Sequence, residues 1–336
     1  MIKKILIQLF LILYISVIVS AKNNVKIATF SVMPPVIDLK TAPKEVVKMM
    51  EQFWEEQISQ VLPDKPDLIV LPEACDRPQN FYIDWDIETA FYKERGDKIL
   101  NFFAKIAKDN SCYIVYSYKH QVKDGTYRNT SLMIDREGQV IGSYNKNFPT
   151  IGEMDRGVKA GKDISIVECD FGRVGMLICF DLLFDDIREK YAKERPDLLI
   201  FSSRYHGGIM QGIWAYTTQS YFVSSVEDRP GLPSQIYNPM GDLIASTTNY
   251  TNYIVKTVNL DYELVHLDYN WDKMQKMKEK YGAGVNIYDP GYVGAVLITS
   301  ENDTVTVKQM LKEFKIDNWD NYYKKSADYR QKYIKH

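Results

Sequence analysis

The chain has 336 residues, 45% hydrophobic and 26% charged, the make-up of a folded globular protein long enough to bury a substantial core. Forty-two basic residues against 44 acidic ones leave a formal net charge of -2, which removes the basic footprint of a nucleic-acid binder. Four histidines (His120, His206, His266, His336) lie scattered without paired-ligand spacing, so no metal site is expected.

In chain order, MIKKILIQLFLILYISVIVSA opens with Lys3 and Lys4, runs apolar from Ile5 to Val19 and closes on Ser20 and Ala21. That is the layout of a secretory signal peptide, with cleavage expected after Ala21 and an exported, periplasmic or secreted mature chain that no longer inserts in a membrane. An uncleaved membrane anchor is the alternative, because the run is near the lower limit for a span. VKIATF (25–30) is a short β run, and 43–62 has apolar residues at helical spacing. DLIVLPE (67–73) is a continuous apolar strand ending in proline and an acid; 87–110 reads as one or two helices; 112–118 is a strand. Hairpins are predicted over 131–144, 164–179 and 234–247, each turning on a short Gly-containing segment.

A short amphipathic helix is expected over 184–196, strands over 197–203 and 253–261, and a long polar helix from about Tyr262 to Lys280. The tail after Asn302 is rich in Lys and Tyr and is expected to pack on a partner subunit or to be loosely ordered. Strands and helices alternate with hairpins, which predicts a layered α/β protein with mixed sheets. The expected organisation is a signal peptide (1–21), one domain (22–300) and a C-terminal extension (301–336).

Three residues stand at or just past strand ends, where α/β proteins place their sites: Glu73, Lys146 in GSYNKNFPTIGE, and Cys179 ending GRVGMLIC. A thiol near neutral pH needs help to attack. A lysine lowers its pKa and stabilises an oxyanion, and a carboxylate accepts its proton. Taken singly each is commonplace: a strand-end acid is usually a cap, a loop lysine is solvated, a lone cysteine is packing. Spacing does not show that the three converge, and a histidine-based thiol mechanism using His206 stays open. The four cysteines (Cys75, Cys112, Cys169, Cys179) show no disulfide framework and are expected mostly free. Sequons fall at Asn129, Asn249 and Asn302.

The blocks DLIVLPE, YNKNFPTIGE and GRVGMLICFDLLF, in that order, resemble the nitrilase superfamily of carbon–nitrogen hydrolases, over about Val25 to Asp261. The resemblance implies a four-layer α-β-β-α sandwich and a homodimer. It implies Glu73 as general base, Lys146 as electrostatic stabiliser, Cys179 as nucleophile and Glu153 as a second acid, with no cofactor. Phe180 stands where nitrilases of the family typically carry tryptophan, which favours a small linear amide over a nitrile. The substrate options are a simple amide, an N-carbamoyl or ureido compound, or a pantetheine-like secondary amide, the last because CFDLLF is similar to the secreted pantetheinase and biotinidase branch.

Phe180 would lend its backbone N–H to the oxyanion. Arg204, Tyr205, His206 and Trp214, in the segment after strand 197–203, are the candidate substrate contacts. The chain departs from the family in WAYTTQSYFV, where many members carry Arg-Ala and then Glu-Asn. Asp181 is expected as a buried structural acid paired with Arg188. A soluble acyltransferase and a non-catalytic binding protein are the readings from other classes.

Overall fold

The computed structural model describes residues 23–227 and 231–334, so the predicted signal segment lies outside the described residues. Two six-stranded mixed sheets face each other. The first has the order Tyr253–Asn259 (β12), Asn24–Phe30 (β1), Leu68–Val70 (β2), Tyr113–Gln121 (β3), Tyr127–Ile134 (β4), Val140–Asn145 (β5). The second runs Leu243–Ser246 (β11), Gln235–Tyr237 (β10), Tyr221–Val226 (β9), Leu198–Ser203 (β8), Gly172–Ile178 (β7), Ile166–Cys169 (β6).

Alternation along the strands explains the layers. In β1 to β3, Val25, Ile27, Leu68, Val70, Tyr113 and Val115 join the core between the sheets, while Ala28, Phe30, Ile69, Ile114 and Tyr116 join a second core on the outer face. Helices Pro43–Ser59 (α1) and Lys98–Asn110 (α3) fill that outer core with Val46, Met50, Trp54, Ile99 and Phe103. Both faces are covered, which is why DLIVL reads as an unbroken apolar run. On the far side, Asp185–Glu194 (α5) and Met210–Thr218 (α6) lay Tyr191 and Trp214 on the second sheet. Tyr191 sits so close that a Cβ at Gly175 would come within 2.7 Å of its ring. The α-β-β-α sandwich is therefore the fold.

At one end the sheets are joined by buried hydroxyls. Thr29 donates to the Ser224 carbonyl (2.7 Å), Ser202 to Leu71 (2.8 Å), and Ser225 and Ser234 both to Phe30 (3.0 and 2.6 Å). Strand β2 is parallel to β1 and β3, β7 is parallel to β8, and two antiparallel steps bring β5 back to the direction of β3. Glu73, Lys146 and Cys179 thus follow the carboxyl ends of strands that run the same way within each sheet.

Two expectations are corrected in the C-terminal part. The predicted helix from Tyr262 to Lys280 is a strand, Tyr262–His266 (β13), followed by a helix, Trp271–Tyr281 (α7). Residues Tyr262 to His266 pair antiparallel with Ala295–Ser300 (β15), which also pairs with Val285–Tyr288 (β14), in a third sheet. The tail is ordered too: Val307–Phe314 (α8) and Trp319–Arg330 (α9) follow, with Val307, Met310, Leu311 and Trp319 buried on this chain's own third sheet and its helices. Among the described residues no helix is long and apolar enough to cross a membrane.

Candidate active site

Glu73 lies three residues past β2, buried with 5% of its surface exposed. Ala74 beside it has φ 49°, a left-handed conformation costly for a residue with a Cβ. Lys146 directly follows β5 and is 2% exposed; its backbone N–H donates to Asn129 and its carbonyl accepts from Gly161 (2.9 and 2.8 Å). Glu153 sits on the one-turn helix Ile151–Asp155 (α4), where Thr150 and Glu153 form a capping box: Glu153 N–H donates to Thr150 Oγ1 (3.3 Å) and Thr150 N–H to Glu153 Oε2 (2.9 Å). Cys179 begins a 3₁₀ turn at the end of β7 and has φ 49°. Strained non-glycine residues persist where the surroundings over-determine them, and they cluster at functional sites.

These groups meet. Lys146 Nζ donates to Glu73 Oε1 (2.8 Å) and Glu153 Oε2 (2.9 Å). Asn129, on β4, bridges the same two carboxylates, its Nδ2 lying 2.8 Å from Glu73 Oε1 and 2.9 Å from Glu153 Oε1. Lys119, opposite Asn129 in the β3–β4 register, places Nζ 3.2 Å from Glu153 Oε1. A cavity of about 310 Å³ opens here, lined by Glu73, Ala74, Arg77, Lys119, Lys146, Thr150, Glu153, Cys179, Arg204 and Tyr205. It sits at the small end of ligand pockets, with room for a compact group.

The electrostatics assign protonation states. Burial works to raise the Glu73 pKa, but the Lys146 ammonium outweighs it and holds the carboxyl below its usual range. Glu153 is likewise opposed by burial and held far below that range by Lys146 and Lys119. Burial opposes the charge on Lys146, yet Glu73, Cys179 and Glu153 keep it protonated well past its ordinary value. Burial first, then the Glu73 carboxylate, push the Cys179 thiol up to about 12, and Lys146 offsets only part of this. The resting set is therefore a neutral thiol, a carboxylate able to take its proton, and a fixed ammonium able to face a developing oxyanion.

Of the predicted contacts, Arg204 and Tyr205 line the cavity. Phe180 and His206 lie outside its lining; the Phe180 ring packs edge-on against Phe184 at 5.2 Å. His206 Nε2 faces Gln235 Oε1 (2.9 Å) and its Nδ1 accepts from Gly208 N–H (3.1 Å). Trp214 is buried in the core and donates to the Leu182 carbonyl (2.8 Å).

Asp181 is buried as expected but is not paired with Arg188, which bonds Asp185 at 2.9 Å. It accepts instead from Tyr144 OH (2.7 Å), Phe148 N–H (2.7 Å) and Ile178 N–H (3.1 Å), tying the Lys146 loop to the Cys179 strand. All four cysteines are free, with Cys75 buried. The sequon at Asn129 is buried inside the site, so in the folded chain that amide is not a glycan acceptor. Arg77, Lys119 and Asn129 were missed. Lys119 carries no motif and Asn129 only a sequon, and what points to them is their place on β3 and β4, next to the β5 strand that leads into Lys146.

Two sheets in an α-β-β-α sandwich, with Glu73, Lys146 and Cys179 brought together at strand ends, are the arrangement that the resemblance to the nitrilase superfamily implies. The family profile described as carbon-nitrogen hydrolase matches residues 34–263, and the chain belongs to that family. The chain is 22% identical over 221 residues to the omega-amidase NIT2 of Danio rerio, covering 58% of this chain and 77% of that protein. It is 27% identical over 165 residues to the pantetheinase of Canis lupus familiaris, covering 46% of this chain but only 30% of that longer protein. Among solved structures, Saccharomyces cerevisiae Nit3, of branch 10 of the nitrilase superfamily, superposes with a TM-score of 0.58 at 19% identity, over 73% of this chain and 92% of Nit3. A mutant of the amidase from Nesterenkonia sp. AN1, carrying the acetamide moiety of fluoroacetamide on its active-site cysteine, gives 0.60 at 16% identity over 78% and 97%.

Proposed function

We propose that the chain hydrolyses the carbon–nitrogen bond of a small linear amide through a Cys179 thioester. The observation that carries this is the Lys146 ammonium clamped between Glu73 and Glu153 in the same cavity as Cys179. Glu73 takes the thiol proton as sulfur attacks the amide carbon. Lys146 and the backbone N–H of Phe180 hold the oxyanion. As the C–N bond breaks, protonated Glu73 returns the proton to the departing amine. Water, deprotonated by Glu73, then attacks the thioester carbonyl and releases the acid, returning the proton to sulfur. Glu153 and Asn129 are positioning residues for Lys146 and Glu73.

An amide substrate is supported by the names of the relatives, omega-amidase and pantetheinase, and by the amidase whose cysteine carries an acetamide group. The test is amine release from a panel of primary amides, ureido acids, nitriles and pantetheine-like secondary amides, with Cys179→Ala alongside. Turnover that disappears in Cys179→Ala supports the proposal. Turnover that survives in Cys179→Ala sinks it. A Cys179 acyl adduct that yields product only with an added amine or alcohol replaces hydrolysis with acyl transfer.

A further inference from the structure

The walls of the cavity carry four cations, and each already has a carboxylate partner. Lys146 pairs with Glu73 and Glu153, and Lys119 with Glu153 at 3.2 Å. Arg77 Nε lies 3.1 Å from Glu88 Oε1, whose other oxygen is 3.7 Å from Arg156. Arg204 meets Glu227 with Nε and with Nη2, the latter at 3.2 Å. Glu227 directly follows β9, is 4% exposed, and is anchored by its N–H to the Ser203 carbonyl (2.9 Å). Arg204 is next to the chemistry: it lines the same cavity as Cys179, and its guanidinium lies over the Tyr82 ring at 5.6 Å.

We propose that Glu227 is a specificity-determining residue: by neutralising Arg204 in the wall of the cavity, it reserves the site for uncharged amides and excludes those that carry a carboxylate near the scissile bond. This rests on the amide-hydrolase reading. Arg is the side chain best suited to a bidentate grip on a carboxylate. An unpaired Arg204 would therefore make the pocket a receptor for an acidic substrate. With Glu227 in that grip, a second carboxylate must displace a buried partner or lie against it. Like charges side by side in a desolvated site are strongly disfavoured. A guanidinium has five N–H donors, so Arg204, with two nitrogens on Glu227, keeps donor capacity for a neutral carbonyl. Arg77, Lys119 and Lys146 offer no alternative receptor, because each is itself paired.

The test compares iodoacetamide with iodoacetate, reagents of similar size that differ in charge, as alkylators of Cys179 in the full chain. In both, a C–S bond forms, iodide leaves, and the thiol proton is lost to base. Peptide mapping assigns the adduct, and rates are normalised to a free small thiol. The native chain is expected to disfavour iodoacetate by on the order of tenfold. Glu227→Gln should erase that discrimination, and Arg204→Gln/Glu227→Gln, in which the charges balance again, should restore it. Equal selectivity in the native chain and Glu227→Gln overturns the proposal. Alkylation needs no amide turnover, so this outcome is separate from failure of the hydrolase reading. Should Glu227→Gln not fold, the native chain decides: iodoacetate reacting as readily as iodoacetamide overturns the proposal, and discrimination supports it.

Discussion

Cys179 rests as a neutral thiol because its burial and the neighbouring Glu73 carboxylate both oppose ionisation. Glu73, the proposed proton acceptor, is already ionised, its carboxyl held below the ordinary range once Lys146 has outweighed burial. A carboxyl with a lowered folded pKa stays ionised above about pH 4.3, the unperturbed glutamate value, and protonates only as the pH falls through its lowered one. With the thiol neutral up to about 12, kcat/KM is expected to stay flat between pH 6 and 9. A pH profile of amide turnover checks this. An inflection between pH 5 and 7 would count against Glu73 as the base. The same sign governs stability: the contribution of Glu73 and Glu153 is complete above their unfolded values and is lost as the pH falls through the folded ones. Glu73, Lys146, Glu153 and Cys179 were legible because each stands in a local block. Asn129 was not, because its partner Glu73 is 56 residues away. A buried amide linking two carboxylates has no sequence signature and here was indistinguishable from a sequon.

The helix α4 shows how an element carries chemistry. Its five residues are too few to be stable alone, and the Thr150–Glu153 capping box closes its first turn while setting Glu153 against Lys146. Thr150→Ala is expected to cost about 1 kcal/mol of stability and to lower kcat, because the loop presenting Glu153 loosens. Thermal melts and turnover of the same variant check both; an unchanged kcat would show that the cap serves stability alone. Other elements divide by how local their cause is. The segment 87–110 resolves into Trp85–Arg95 (α2) and α3, separated at Gly96, which has φ 46°. The strand β13 was read as helix because Tyr262 to His266 precede a run of good helix formers. Its state comes from pairing with Ala295 to Thr299, 29 to 37 residues on in the chain.

At the scale of the molecule, the C-terminal helices close a core of their own. Val307, Met310, Leu311, Ile316 and Trp319 are buried there, each worth about 2 kcal/mol. Together that is roughly 10 kcal/mol, as much as the whole stability of many domains. A chain ending at residue 301 is expected to lose hydrogen-exchange protection across β13 to β15 while Cys179 alkylation persists, since the sandwich cores lie elsewhere. Retained protection would show that the third sheet stands without α8 and α9. By itself the sequence determined the apolar runs that become β1 to β3, and the three blocks that carry Glu73, Lys146 and Cys179. Those are properties of neighbouring residues, written in continuous apolar stretches and in short motifs. Only the tertiary structure decided that the blocks meet in one cavity, that Asp181 holds the Lys146 loop rather than Arg188, and that Arg204 is matched by Glu227. Convergence and charge pairing depend on which strands lie side by side, and the chain's local preferences do not encode that distance.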